Sequence, residues 1–255
     1  ENNFLGKGIK LDSNLFLSEE RVKGKFSYIK SNYNNSDKDL ILSVQSQEVD
    51  RLEAFGYKSN DTGFLVGTNY EILEDLYFKP NFNVAYESLT TSSSASSLLK
   101  KQEGSYFDTE VNYGLVMDKR NQSYQPSDGY LSSFFQTIPL NIDENQTLVN
   151  GYELKTFNEY IEDQILTLSF FAKAANSLGD DDVKISDRLY LPSRKLRGFE
   201  AGKVGPKDGD DFIGGNFLSA FNAQANLPVF PSFETVDFNI FYDAANVWGV
   251  DYDSS

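Results

Sequence analysis

Apolar and polar positions alternate with a period of two along most of this chain. Over 107–117, Phe107, Thr109, Val111, Tyr113, Leu115 and Met117 fall on one side, and Asp108, Glu110, Asn112 and Gly114 on the other. Over 165–174, Leu166, Leu168, Phe170, Ala172 and Ala174 oppose Thr167, Ser169, Phe171 and Lys173. Over 236–244, Val236, Phe238, Ile240, Tyr242 and Ala244 oppose Asp237, Asn239, Phe241 and Asp243. Successive side chains of a strand point to opposite faces, so this period predicts strands with one apolar and one hydrated face. The pattern marks about eleven segments, near 5–17, 21–30, 39–47, 62–72, 76–88, 105–117, 129–138, 150–161, 164–175, 214–227 and 233–246. The stretch 47–55 (QEVDRLEAF) also suits a helical turn or two and is read as loop.

From the third segment onward, longer links tend to alternate with shorter ones. Links 48–61, 89–104, 139–149 and 176–213 are long, whereas 73–75, 162–163 and 228–232 are tight. Link 118–128 is of medium length and carries the turn signal Pro126-Ser127-Asp128-Gly129. One sheet end with short turns and the other with long loops is the arrangement of an outer-membrane barrel. A soluble antiparallel sandwich alternates too. Three features favour the barrel. The segments run to about ten residues or more, against about five or six for a globular strand. The hydrated faces hold acids and amides, as a wet lumen would. The apolar faces are rich in Phe, Tyr, Leu and Val, with Tyr and Trp near strand ends. The expected fold is therefore all-β: an antiparallel transmembrane β-barrel filling 1–255 as one partial domain, with its long loop at about 176–213. An odd strand count is unusual for a single-chain bacterial barrel. Open sheet edges in lipid cost several kcal/mol per unpaired group. The chain is therefore expected to be an internal stretch of a larger barrel.

Composition narrows the chemistry. There is no Cys and no His, so thiolate metal sites, disulfides, His-ligated zinc and the usual neutral-pH base are absent. Lys and Arg number 23 against 38 Asp and Glu, a formal charge of −15, which argues against nucleic acid as a partner. No apolar run approaches the ~18 residues of a spanning helix. The mean hydropathy of −0.44 reads as soluble. In a spanning barrel, however, only every second residue meets lipid. Glu1-Asn2-Asn3 carries neither a start Met nor a signal peptide, as expected of a processed chain or a piece of a longer one.

The longest link and the strands after it carry the distinctive motifs. They read Leu196-Arg197-Gly198-Phe199, Val204-Gly205-Pro206, Gly214-Gly215-Asn216 and, in the last strand, Phe241-Tyr242-Asp243-Ala244-Ala245-Asn246-Val247-Trp248. Upstream stand Asp118-Lys119-Arg120-Asn121 with Pro126-Ser127-Asp128-Gly129, and Asn3-Phe4-Leu5-Gly6-Lys7-Gly8. Their order and spacing resemble the BamA family of outer-membrane protein assembly factors over nearly the whole chain. The family's motifs are V-R-G-F/Y in the sixth outer loop, then V-G-P, G-G-N and F-x-D-x-G-x-V-W, with an upstream D-x-R-D/N…P-T-D-G turn. The resemblance implies the third to thirteenth strands of a sixteen-stranded barrel, without the periplasmic POTRA repeats. It also implies a bacterial outer-membrane location, and action without cofactor, ATP or catalytic residue. The implied partners are outer-membrane lipids, unfolded client barrel proteins and accessory lipoproteins. This sequence departs from the family at three places. Gln224 stands where a Glu is common, Pro192-Ser193 where Gly-Gly is common, and Ala245 where Gly is usual.

The residues themselves suggest what the loop motif does. A guanidinium carried into a lumen needs acceptors, because a buried unpaired charge is very costly. Asp243, on the hydrated face of its strand, is the best candidate acceptor, in bidentate geometry. Phe241, on the same face, can stack on the guanidinium. Gln224 can accept a hydrogen bond but brings no charge. The competing reading is a solvated loop arginine. The acidic runs at 180–182 and 208–211 lack the frame of a calcium loop. Asp108 and Glu110 are read as lumen lining. Other functions kept open are a two-partner secretion translocator of the same superfamily, a passive porin and a carbohydrate-binding sandwich.

Overall fold

The computed structural model describes residues 3–4, 6–17, 21–140, 146–162, 164–179, 182–209, 211–227 and 238–250. The strands, in chain order, are β1 (Ile9–Leu17), β2 (Arg21–Lys30), β3 (Asp39–Arg51), β4 (Tyr57–Leu73), β5 (Leu76–Phe78), β6 (Asn81–Thr91), β7 (Gly104–Asp118), β8 (Gly129–Pro139), β9 (Thr147–Ile161), β10 (Gln164–Ser177), β11 (Lys207–Asp208), β12 (Asp211–Phe212), β13 (Phe217–Leu227) and β14 (Phe238–Trp248). All but β11 and β12 form one antiparallel sheet in which each strand lies beside its neighbour in sequence, from β1 at one edge to β14 at the other. β5 and β6 are two halves of one stave, both paired with β4 and β7. The main sheet thus holds the eleven staves that the alternation predicts. The stave breaks at Lys79-Pro80, where Pro80 has no N–H to give the ladder. Lys79 and Gly114 still exchange backbone hydrogen bonds across the break, at 2.9 and 3.2 Å.

Strand ends differ from the sequence expectation. The stretch 48–61 is not a long polar link. β3 reaches Arg51, β4 starts at Tyr57, and one helical turn, α1 (Leu52–Phe55), joins them. Of the stretch read as loop, 47–51 is strand and 52–55 is helix. The reason is that hydrophobic alternation reports only where a strand meets lipid or core, while the ladder is made by the backbone. Beyond the apolar belt, Lys58 bridges Glu48 at 2.7 Å and Asp50 at 3.3 Å on the outer face. The contrast between short and long links weakens accordingly. Link 89–104 is shortened at both ends and holds a second short helix, α2 (Ser97–Lys101), with the Ser96 hydroxyl accepting from the Leu99 N–H. At the start, residues 6–8 form a turn rather than strand, and Asn3 Oδ1 accepts from the Gly8 N–H. The expected link 228–232, the first residues of segment 233–246, Leu5, Asp180, Asp181, Asp210 and residues 141–145 lie outside the described residues.

The two faces of the sheet separate as a barrel wall requires. Leu154, Phe170, Phe221 and Ala244 stand side by side in one cross-strand row, with both phenyl rings exposed on the outer face. Phe107, also outward, is 64% exposed. These apolar side chains do not face one another across a dry core, so the sandwich is excluded. The core lies on the other face, between wall and long loop. One cluster joins Phe171, Ala175, Leu218, Ala220 and Val247 of the wall to Val183, Leu189, Leu191 and Leu196 of the loop. A second joins Phe55, Tyr57 and Leu89 to Ala95, Leu99, Ile185 and Ile213. Residues 182–209 and 211–213 therefore reach wall residues between β4 and β14 and act as a plug against the inner face of the sheet.

Candidate functional site

Register places the anchoring groups. Asn222 pairs with Asp243 and Gln224 with Phe241 across β13 and β14, so all four side chains share the inner face. The loop reaches them through a single 3-10 turn at 193–195, begun by Pro192 with φ −66°, which closes as Lys195 N–H donates to the Pro192 carbonyl. The departure from Gly-Gly at 192–193 thus still supplies a tight turn.

Arg197 follows this turn. Its Nε donates to Asp243 Oδ2 at 2.7 Å and its Nη2 to Oδ1 at 2.7 Å, while its backbone N–H donates to Oδ2 at 3.0 Å. Nη1 donates to Gln224 Oε1 at 2.8 Å. Asn222 Nδ2 donates to Asp243 Oδ1 and to the Lys195 carbonyl, both at 2.9 Å. The guanidinium lies 3.7 Å from the centre of the Phe241 ring. The Asp243 side chain is only 3% exposed. The paired carboxylate raises the Arg197 pKa through its hydrogen bonds. Gly198 adopts φ 85° just after the guanidinium. Phe199 is 60% exposed.

The remaining loop motifs seat the plug on the wall. A Cβ on Gly205 would sit 2.9 Å from Val247 Cβ, and one on Gly215 would sit 2.7 Å from the Trp248 carbonyl. These glycines allow the loop backbone to lie directly on β14. Pro206 accepts from Ile213 N–H across the small β11–β12 hairpin, Gly214 turns with φ 67°, and Asn216 N–H donates to the Gly249 carbonyl. Ala245 packs against the first core cluster.

The upstream motif is a turn between β7 and β8, tied to the neighbouring β4–β5 turn by Lys119 Nζ, 2.6 Å from Asp75 Oδ2. Arg120 grips Asp118 with two hydrogen bonds of 2.7 Å. Asn121 Oδ1 accepts from the N–H groups of Ser127 and Asp128, the residues after Pro126. Gly129 has φ 92°, and a Cβ there would lie 2.0 Å from the Lys119 carbonyl.

A second anchor was not singled out by sequence. Lys184, 1% exposed, places Nζ 2.7 Å from Glu87 Oε2 and 3.0 Å from Asp108 Oδ2. Tyr106 lies beneath it, with the ring centre 4.7 Å from Nζ. Ser186 Oγ donates to Glu87 at 3.0 Å, and Ile185 N–H to Gln102 Oε1 at 2.7 Å. Burial alone would lower the lysine pKa. The carboxylates of Asp187, Glu87 and Asp108 outweigh it and hold the ammonium well above its ordinary range. Asp187 is pushed up to about 6, by burial first and by Glu87 and Asp108 as well, against the pull of Lys184. Its side chain keeps 31% of its surface, but that surface faces a cavity of about 700 Å3 bounded by the acidic wall. The signal for this anchor is present in the chain: Lys184 is the single cation in Asp-Asp-Asp-Val-Lys-Ile-Ser-Asp, flanked by two apolar residues. Asp61, Glu87, Asp108 and Glu110 fall on inward positions of adjacent staves. Such a wall calls for a cation brought from elsewhere.

The model of the Omp85 superfamily domain matches residues 3–255. The chain belongs to the Omp85 superfamily. Omp85 barrels sit in outer membranes. Among curated relatives, the human sorting and assembly machinery component 50 homolog is 21% identical over 98% of this chain and 55% of its own length. A SAM50-like protein of Schizosaccharomyces pombe is 40% identical over a quarter of the chain (25%) and 14% of its own length. Among solved structures, BamA from Haemophilus ducreyi lacking POTRA domains 1–3 superposes with a TM-score of 0.84. It is 17% identical, over 98% of this chain and 54% of that one. This Omp85 chain therefore has the BamA barrel fold and spans about half the length of the relatives it matches.

Proposed function

We propose that this Omp85 barrel belongs to an assembly factor that folds client β-barrel proteins and inserts them into a bacterial outer membrane, together with accessory lipoproteins. The observation that carries the reading is the tie of Arg197 to Asp243, which holds a long loop inside the wall. A porin keeps its lumen open, whereas here a long loop held by two anchors and two apolar clusters lies against the inner face. The name of the sorting and assembly machinery relatives supports an assembly role. The outward apolar face meets lipid, and exposed backbone groups at a strand edge can template an incoming strand. On this reading the work is done by shape and edge pairing, with no cofactor, ATP or catalytic residue.

The test replaces the native protein by the full-length Arg197→Ala variant in its host. Fractionation is expected to find the protein in the bacterial outer membrane. The levels of other outer-membrane barrels are expected to fall while the variant itself is still made. Recovery from a mitochondrial fraction would overturn the location, and unchanged client levels would overturn the role of the loop.

A further inference from the structure

A second cavity, of about 240 Å3, opens on the inner face of β9, β10 and β13 beneath the 193–195 turn. Its floor is one cross-strand row, in which Lys155 pairs with Ser169 and Ser169 with Asn222. Around it stand three cations, Lys155, Arg194 and Lys195, and one carboxylate, Glu153. Glu153 Oε1 already serves two of them, Lys195 at 2.6 Å and Lys155 at 3.3 Å. Arg197, on the rim, is neutralised by Asp243. The pocket thus keeps an excess of positive charge in a chain whose formal charge is −15.

Two of the donors there are unspent. Arg194, exposed within the turn that fixes Lys195 and Arg197, has no hydrogen bond or ion pair among the described residues. Ser169 is 7% exposed, lines the cavity, and its Oγ is buried without a partner. Burying a hydroxyl without a partner is unfavourable, so Ser169 presents a hydrogen-bonding group to a ligand in the cavity. Thr167, one position along the same face of β10, brings another hydroxyl. A guanidinium fork, an ammonium and hydroxyl donors around an electropositive hollow match an oxyanion. The volume holds roughly eight waters, enough for a phosphate with part of its hydration and too small for a drug-sized ligand.

We propose that this pocket binds phosphate or a small phosphate monoester, with Arg194, Ser169, Thr167 and Lys155 as donors. Occupancy would tie the 193–195 turn to β9 and β10, one turn away from the Arg197 anchor. Bound ligand then stabilises the plugged state by mass action. This inference is independent of the proposed assembly role, because binding is measured without clients.

The experiment titrates inorganic phosphate into the full-length protein in detergent micelles, by calorimetry at low ionic strength. A saturable signal is expected. Arg194→Gln should weaken it about tenfold or more, the size of one lost charge-assisted contact. Ser169→Ala, which removes a single buried oxygen, should weaken it severalfold and leave the fold intact. Lys207→Gln, in the β11–β12 hairpin, should change nothing. A parallel titration uses bilayers with and without phosphatidic acid. A signal with inorganic phosphate in micelles identifies a soluble ligand. One that needs phosphatidic acid and is lost in Arg194→Gln identifies a lipid headgroup at the same site. The proposal is overturned if neither probe binds, if both variants bind as the parent does, or if chloride produces the same signal as phosphate.

Discussion

Asp243 of β14 accepts three hydrogen bonds from Arg197, two from the guanidinium and one from the backbone N–H. The backbone bond matters because it sets the loop's position and not only the side chain's. Both oxygens of one carboxylate are engaged by one planar fork, which a lysine cannot reproduce. Arg197→Lys is therefore expected to lose most of the tie although it keeps the charge. Asp243→Asn should lose a similar amount, about 1.5–3 kcal/mol in each case. Heat-modifiability of the purified full-length protein in detergent measures this: both variants should unfold at lower temperature than the parent. Equal transitions for Arg197→Lys and parent would show that charge alone suffices.

The Lys184 anchor lets pairing be separated from packing. Lys184→Met keeps the length of the stem but strands Glu87 and Asp108 beside an apolar group. Removing one partner of a buried ion pair costs about 3–5 kcal/mol. Adding Glu87→Gln to Lys184→Met should recover part of that loss, since one stranded charge disappears. A double-mutant cycle on urea unfolding is the measurement. Strictly additive losses would mean that Lys184 and Glu87 do not stabilise one another.

Asp187 makes a pH prediction. Its carboxyl titrates at about 6 in the folded protein against an ordinary 3.8, so the folded state takes up the proton more readily than the unfolded chain. The stability from this group is complete below its unfolded value and is lost as pH rises through about 6. Asp187→Asn is expected to flatten this part of the stability profile and to raise stability at neutral pH, by about 1 kcal/mol once its partial exposure is allowed for. Denaturation midpoints of parent and variant between pH 4 and 8 test it. A variant that is less stable than the parent at neutral pH reverses the sign and refutes it.

The turn between β7 and β8 should tolerate no side chain at Gly129. The positive φ and the Lys119 carbonyl at 2.0 Å from a Cβ act together, so the backbone must move. Gly129→Ala is expected to cost about 1–3 kcal/mol or more. Gly179→Ala has nothing within 4 Å of its Cβ and should cost far less. Comparing folded yields of the two variants after refolding into detergent checks the contrast.

Alternation along the chain was enough to count eleven staves, to orient their apolar faces and, with the need of a guanidinium for acceptors, to offer Asp243 and Phe241 as its partners, whereas Arg197 and Gln224 were singled out by the family resemblance. Both inferences rest on local rules: the period of two, and the need of a guanidinium for acceptors. The same signal misplaced strand ends wherever a strand leaves the apolar belt, as at Arg51 and Tyr57, because backbone pairing continues without hydrophobic contrast. It also counted Phe171 among the wet-face residues. In the structure Phe171 is buried under the plug, with Lys195 Nζ 4.6 Å from its ring centre. What alternation cannot encode is which part of a distant loop covers which part of the wall. The pairing of Lys184 with Glu87 joins residues 97 positions apart, and that of Arg197 with Asp243 joins residues 46 apart. The chain alone determined the wall and the need for counter-charges. The tertiary fold decided which charges meet, because only the placement of the loop on the inner face of the sheet brings residues so far apart in sequence into contact.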